Sequence, residues 1–114
     1  MLFATLESWS GYFHPLRAGA LVHAGDSEKR AHDPSILAKR EAGLLRELRT
    51  RLFLSSGTTH DRATVNDTKS FSRELRSLGL PHRLWLGAGG HDGRFWRTQL
   101  PAALRYALLR PRLD

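Results

Sequence analysis

The residues of this chain best suited to chemistry are a histidine and an aspartate, each on a glycine-bearing loop. His91 lies in Gly89-Gly90-His91-Asp92-Gly93-Arg94-Phe95-Trp96, and Asp61 ends Ser56-Gly57-Thr58-Thr59-His60-Asp61, about thirty residues earlier. Together they look like two of the three groups of a Ser-His-Asp triad. In such a triad the histidine takes the proton of a serine hydroxyl, while the carboxylate fixes the imidazole tautomer and stabilises the imidazolium that forms. Both helpers need rigid placement. Asp61 follows the short apolar run Arg51-Leu52-Phe53-Leu54-Ser55-Ser56, and His91 follows His82-Arg83-Leu84-Trp85-Leu86 and a Gly87-Ala88-Gly89-Gly90 turn. Each run reads as a buried strand ending in a loop. In open α/β sheets the reacting groups collect outside the carboxyl ends of the strands, where both residues would then lie.

The elements that must hold these loops alternate along the chain. Leu2 to Trp9 reads as a short strand, followed by a loop through Gly11, Pro15, Gly19 and Gly25. Asp33-Pro34 is a helix start, a cap followed by proline at the first helical position, and Ile36, Leu37, Leu44, Leu45 and Leu48 recur at helical spacing. After the strand from Arg51 to Ser55, Val65, Thr68, Phe71, Leu75 and Leu78 form a second helical stripe, which stops at Gly79 with Pro81 closing the turn. Leu84 to Leu86 gives another strand. Phe95, Trp96, Leu100, Ala103, Leu104, Ala107 and Leu108 then mark a terminal helix, which Pro101 is expected to divide or kink. The order predicts an α/β fold, a short parallel sheet with flanking helices and right-handed crossovers, spanning residues 1–114 as one unit.

From about Phe3 to Leu108 the sequence resembles the C-terminal part of the esterase branch of the α/β-hydrolases, which includes enterochelin esterases, S-formylglutathione hydrolases, feruloyl esterases and mycolyltransferases. Ser8-Trp9-Ser10-Gly11-Tyr12-Phe13 is similar to the strand end that follows the nucleophile elbow in that family. Leu54 through Asp61 resembles its acid-bearing loop, Asn66 through Gly79 the helix behind it, and Gly89-Gly90-His91-Asp92 with Trp96 and Leu100 its histidine loop and last helix. The resemblance implies a serine-type carboxylic ester hydrolase acting on a small-molecule ester, with His91 as general base, Asp61 as its orienting acid and no cofactor. Gly93 departs from the pattern, since related histidine loops often carry a bulky residue there.

The nucleophile is missing from this picture. A Gly-x-Ser-x-Gly elbow places its serine on a strained strand-to-helix turn. Ser27 follows Gly25 but meets Lys29 two residues on, and Ser77 precedes Gly79 but has Leu75 before it. On the resemblance the elbow would fall before Met1, so the chain is expected to be the C-terminal portion of such an enzyme. Loss of a triad serine costs on the order of 10⁶-fold in turnover, so the chain by itself is expected to be nearly inactive. A sheet cut off in this way would expose an edge at its first strand, and self-association through that edge is expected.

Each candidate has a plainer alternative. His91 could be a loop histidine bonded to backbone, and Asp61 a turn or helix-capping aspartate before Thr64 and Val65. Asp67 reads as a first-turn helix charge and Asp92 as the cap of the last helix. His60 reads as a solvated loop residue, Trp85 and Trp96 as packing residues rather than substrate platforms. Ser8 and Ser10 lack the glycine two residues before a nucleophile. The rival reading of the chain is a non-catalytic remnant or binding module.

Composition narrows the remaining classes. The chain has 114 residues, 40% hydrophobic and 25% charged, which is ordinary for one small globular domain. With Cys 0 there is no disulfide framework, thiolate metal site or thiol nucleophile. No apolar run approaches the ~18 residues of a membrane span, and Met1-Leu2-Phe3-Ala4 lacks a signal-peptide core. The net charge of +7 invites a nucleic-acid reading, but the arginines, such as Arg46, Arg49, Arg51, Arg73, Arg76, Arg105, Arg110 and Arg112, are spread over the helices beside acids such as Glu47 and Glu74. No nucleic-acid-binding signature accompanies them. His14, His23, His32, His60, His82 and His91 never fall at a tight two-ligand helical spacing with a carboxylate, so no metal is expected.

Overall fold

A computed structural model describes residues 5–11, 13–14, 23–59 and 62–109. The elements run β1 (Thr5–Trp9), α1 (Asp26–Ala31), α2 (Pro34–Glu47), β2 (Arg51–Gly57), α3 (Arg62–Ser77), β3 (His82–Gly87) and α4 (Gly93–Leu108). The three strands form one parallel sheet in the order β1-β2-β3, with Ser8 level with Leu54 and Leu54 level with Leu84. This is the expected α/β class.

Alternation along the strands assigns the two faces. Leu52 and Leu54 join Phe13, Ala38, Ala42, Phe71, Leu75 and Leu80 in one core, with the Phe13 and Phe71 rings stacked at 4.3 Å. Phe53, fully buried, faces the other way against Tyr106 of α4, where Phe95 and Ala103 are also buried. So α2 and α3 lie on one face and α4 on the other. The central strand β2 is buried from Leu52 through Gly57, which is why Leu52, Phe53 and Leu54 are apolar in succession instead of alternating with polar residues.

The width of the sheet decides which apolar positions are covered. Two inter-strand gaps give a sheet about 10 Å wide, close to one helix diameter. On its face α3 takes that width, burying Val65, Thr68, Phe71 and Leu75 as its spacing predicts. Helix α2 sits beside it and bounds, with β1, an open apolar groove of about 350 Å³ lined by Leu6, Phe13, Leu37, Leu45, Leu52 and others. The apolar stripe expected on α2 therefore splits: Ala38 and Ala42 are buried, whereas Ile36, Leu44 and Leu48 remain 39%, 50% and 40% exposed. In α4 the buried residues are Phe95, Gln99 and Ala103; of the expected stripe Phe95 and Ala103 face the sheet, whereas Leu100, Leu104 and Leu108 face solvent.

Local signals fared better at helix ends. Asp33 caps α2, its carboxylate accepting from Ser35 N at 2.8 Å and Ile36 N at 3.3 Å, with Pro34 at the first helical position. Pro101 does not divide α4, which is one helix across it. The short α1 lies where a loop was expected. It buries nothing and so leaves no periodic trace, but Asp26 and Glu28 in its first turn and Lys29 and Arg30 in its last complement the helix dipole. Within the described sheet β1 pairs with β2 alone, and Leu6 and Trp9 on it are 45% and 37% exposed, consistent with the expected open edge. Among the described residues no helix is long and apolar enough to cross a membrane.

Candidate active site

The loops after β2 and β3 are joined backbone to backbone. Thr58 N donates to Gly87 O at 3.0 Å and Thr59 N to Gly89 O at 3.0 Å, while Gly89 N donates to Thr59 Oγ1 at 2.7 Å. Gly57 makes this approach possible. A β-carbon there would collide with Gly89 O and come within 2.6 Å of Gly90 O, so any side chain would force the loops apart. The acid-bearing segment is thus tied to the histidine-bearing segment at the carboxyl ends of adjacent parallel strands. Asp61 and His60 themselves lie outside the described residues.

His91 follows this junction and is exposed. Its orientation is set from the helix side: Asp92 caps α4, accepting from Phe95 N at 2.9 Å, and one turn on Trp96 meets the His91 ring edge-to-face at 5.3 Å. Trp96 Nε1 in turn donates to Ser10 Oγ at 3.3 Å. Ser10 is buried just past the end of β1 with φ 59°, an uncommon conformation for a residue with a side chain, and its N–H donates to Ser55 O at 2.7 Å. The β1 end, the β2 end and the histidine loop therefore meet through Ser10 and Trp96. Trp96 is a packing residue in contact with the candidate base. Trp85 packs on Phe95 at 5.7 Å. At Gly93 a β-carbon would meet nothing within 4 Å, so the smaller residue leaves open space beside the loop. A hollow of about 260 Å³ adjoins it, bounded by Ala88, Gly90, Asp92, Arg94 and Thr98 among others.

The competing carboxylates are committed elsewhere. Asp92 serves the helix cap. Asp67 is not the first-turn charge expected, because α3 starts at Arg62 and places it in the second turn: its Oδ2 accepts from Phe13 N at 2.5 Å and His14 N at 3.3 Å, and its Oδ1 pairs with His14 Nδ1. Glu74 Oε1 takes the other ring nitrogen, His14 Nε2, at 2.6 Å. A carboxylate only accepts, so filling both bonds requires the doubly protonated imidazolium. Burial alone would lower the His14 pKa, but the two hydrogen bonds and the two negative charges outweigh it and hold it above the usual histidine value of 6.5. Among the described residues no carboxylate is bonded to His91.

One other serine and histidine are in contact. Ser72 Oγ lies 2.7 Å from His82 Nε2, and His82 Nδ1 lies 3.0 Å from Leu80 O. Because a carbonyl accepts, Nδ1 donates to Leu80 O, which in the neutral ring leaves Nε2 to accept from the Ser72 hydroxyl. The hydrogen bonding is that of a nucleophile and its base, but Ser72 is 2% exposed, on the buried side of α3. The pair joins α3 to β3 and is out of reach of a substrate. Sequence inspection missed it, and also missed the His14 clasp, because each joins residues on separate elements whose spacing along the chain carries no pattern. Among the described residues no cluster of three or more histidines and carboxylates has metal-binding geometry. No family model matches this chain, and no curated protein or solved structure is significantly similar to it.

Proposed function

We propose that this chain is the acid- and base-bearing C-terminal portion of an α/β-hydrolase-type serine esterase. The observation that supports this best is the junction of the Gly57–Thr59 and Gly87–Gly90 loops, which carries the residues leading to Asp61 and His91 to one place at the ends of β2 and β3. In this reading a serine on an upstream elbow attacks the ester carbonyl. His91 accepts its proton and delivers it to the leaving alcohol, and Asp61 holds the ring and balances its charge. Water then releases the acid from the acyl-enzyme, with His91 acting again as base. The exposure of His91 and the commitment of Asp67 and Asp92 to other bonds fit these roles.

The test begins with the coding sequence upstream of the Met1 codon, read in frame and expressed with the 114 residues. A Gly-x-Ser-x-Gly elbow whose serine is labelled by a fluorophosphonate probe, with hydrolysis of p-nitrophenyl acetate, is the expected result. An in-frame stop with no elbow, or an extended chain that neither labels nor turns over, would leave the non-catalytic remnant as the reading.

A further inference from the structure

We infer that the opposite end of the sheet carries a binding site for a phosphate-class oxyanion, a phosphomonoester or diphosphate, in the hollow between the ends of α2 and α3. The hollow has about 340 Å³ and is lined by Arg46, Arg49, Arg51, Gly79 and Pro81, with no acidic residue among the described residues of the lining. It lies at the starts of β2 and β3, about 20 Å of strand rise from the His91 loop, and is independent of the esterase reading.

The second observation is conformational. Helices α2 and α3 end in the same cap and both caps border the hollow. At the end of α2, Arg49 N donates to Arg46 O at 3.0 Å and Thr50 N to Leu45 O at 2.9 Å; at the end of α3, Gly79 N donates to Arg76 O at 3.1 Å and Leu80 N to Leu75 O at 2.9 Å. This motif places one residue in the left-handed region, where glycine is favoured. The α3 cap uses Gly79 with φ 68°, whereas the α2 cap uses Arg49 with φ 54°. An arginine is therefore held in a glycine conformation at the rim of an arginine-lined hollow. A residue with a side chain is uncommon in this region, and its selection at the rim in place of glycine brings a third guanidinium to the hollow. Among the described residues nothing accepts a hydrogen bond from Arg49.

The other two arginines are already oriented. Arg46 Nη1 donates to Leu78 O, which fixes the guanidinium over the hollow and leaves its remaining N–H groups for a ligand. The Arg51 head is turned away, 4.8 Å over the Tyr106 ring and bonded to Leu109 O at 2.6 Å, so it contributes charge and wall rather than direct contact. The helix dipoles oppose an anion here, because two C-terminal ends bring about −0.5 charge each. Three guanidinium groups exceed that sum, leaving a field of about two positive charges for a dianion.

The experiment is isothermal titration of the chain with inorganic pyrophosphate at about 150 mM salt, where diffuse surface attraction is screened. One saturable site is expected. Arg49→Gly should weaken it at least about tenfold while raising Tm, since glycine relieves the backbone, and Arg46→Gln should weaken it similarly. The proposal is overturned by the absence of saturable binding, or by pyrophosphate affinity unchanged in Arg49→Gly. It is equally overturned if duplex DNA binds in preference, with a steep salt dependence indifferent to Arg49, which would reveal a general polyanion surface.

Discussion

His14 and His91 both follow strand ends, and their surroundings differ in the way that separates a structural histidine from one free to react. His14 is gripped on both ring nitrogens by carboxylates of α3, Asp67 and Glu74, and its backbone N–H also donates to Asp67. The result is a clasp that pins the segment after β1 to α3 and lays Phe13 on Phe71. His91 touches an aromatic edge and is otherwise exposed, with no described carboxylate bonded to it. A clasped imidazolium can neither accept a proton nor turn toward a substrate. An imidazole that is not gripped by carboxylates on both nitrogens can do both.

The comparison is broken most sharply by removing each ring in turn. In a chain extended to include the proposed upstream serine, His91→Ala should lower turnover by about 10³-fold or more with Tm unchanged, and His14→Ala should lower Tm with kcat per folded molecule kept. Ester hydrolysis by His91→Ala close to that of the parent would end the distinction. Next in size is Gly57→Ala, which drives a methyl into the Gly89 and Gly90 carbonyls and should cost about 1–3 kcal/mol in urea denaturation, as well as separating the two loops.

The clasp itself carries a pH signature. With the folded-state His14 pKa above the unfolded value, its contribution to stability is complete below about pH 6.5 and is lost as pH rises through the raised folded value. Replacing His14 with alanine should therefore cost about 1–2 kcal/mol near pH 6 and clearly less near pH 9. A stability difference that stays constant across that range would contradict the imidazolium. The smallest expected effect is Asp92→Ala, about 1 kcal/mol for the lost cap of α4, visible as a lower Tm and a less fixed His91 side chain.

What was legible in the sequence follows the range of the interaction. The Asp33 and Asp92 caps, the α3 stripe and the alternation of strand and helix are set by neighbours along the chain, and each stands where its residues indicate. The buried face of α4 was read correctly at Phe95 and Ala103 and misread at the leucines, which recur at helical spacing beside them. A sheet one helix wide has room for Phe95, Gln99 and Ala103 and leaves Leu100, Leu104 and Leu108 outside. Of the candidate site, the two glycine loops and His91 were legible from their turn residues. The Trp96–Ser10 link spans 86 residues and had no sequence signal beyond the resemblance that set those segments apart. Gly57 was noted as a turn glycine, but its need for space comes from the backbone of the neighbouring loop.

The most direct test of the account asks whether Asp61 serves His91. Proton and nitrogen NMR of the imidazoles in the 114-residue chain needs no upstream segment and no substrate. The account predicts a hydrogen-bonded Nδ1–H resonance from His91 that disappears in Asp61→Ala, which removes the acceptor, and survives in Asp67→Ala. A His91 Nδ1–H signal that persists in Asp61→Ala, or is lost in Asp67→Ala, would contradict the pairing on which the esterase reading depends.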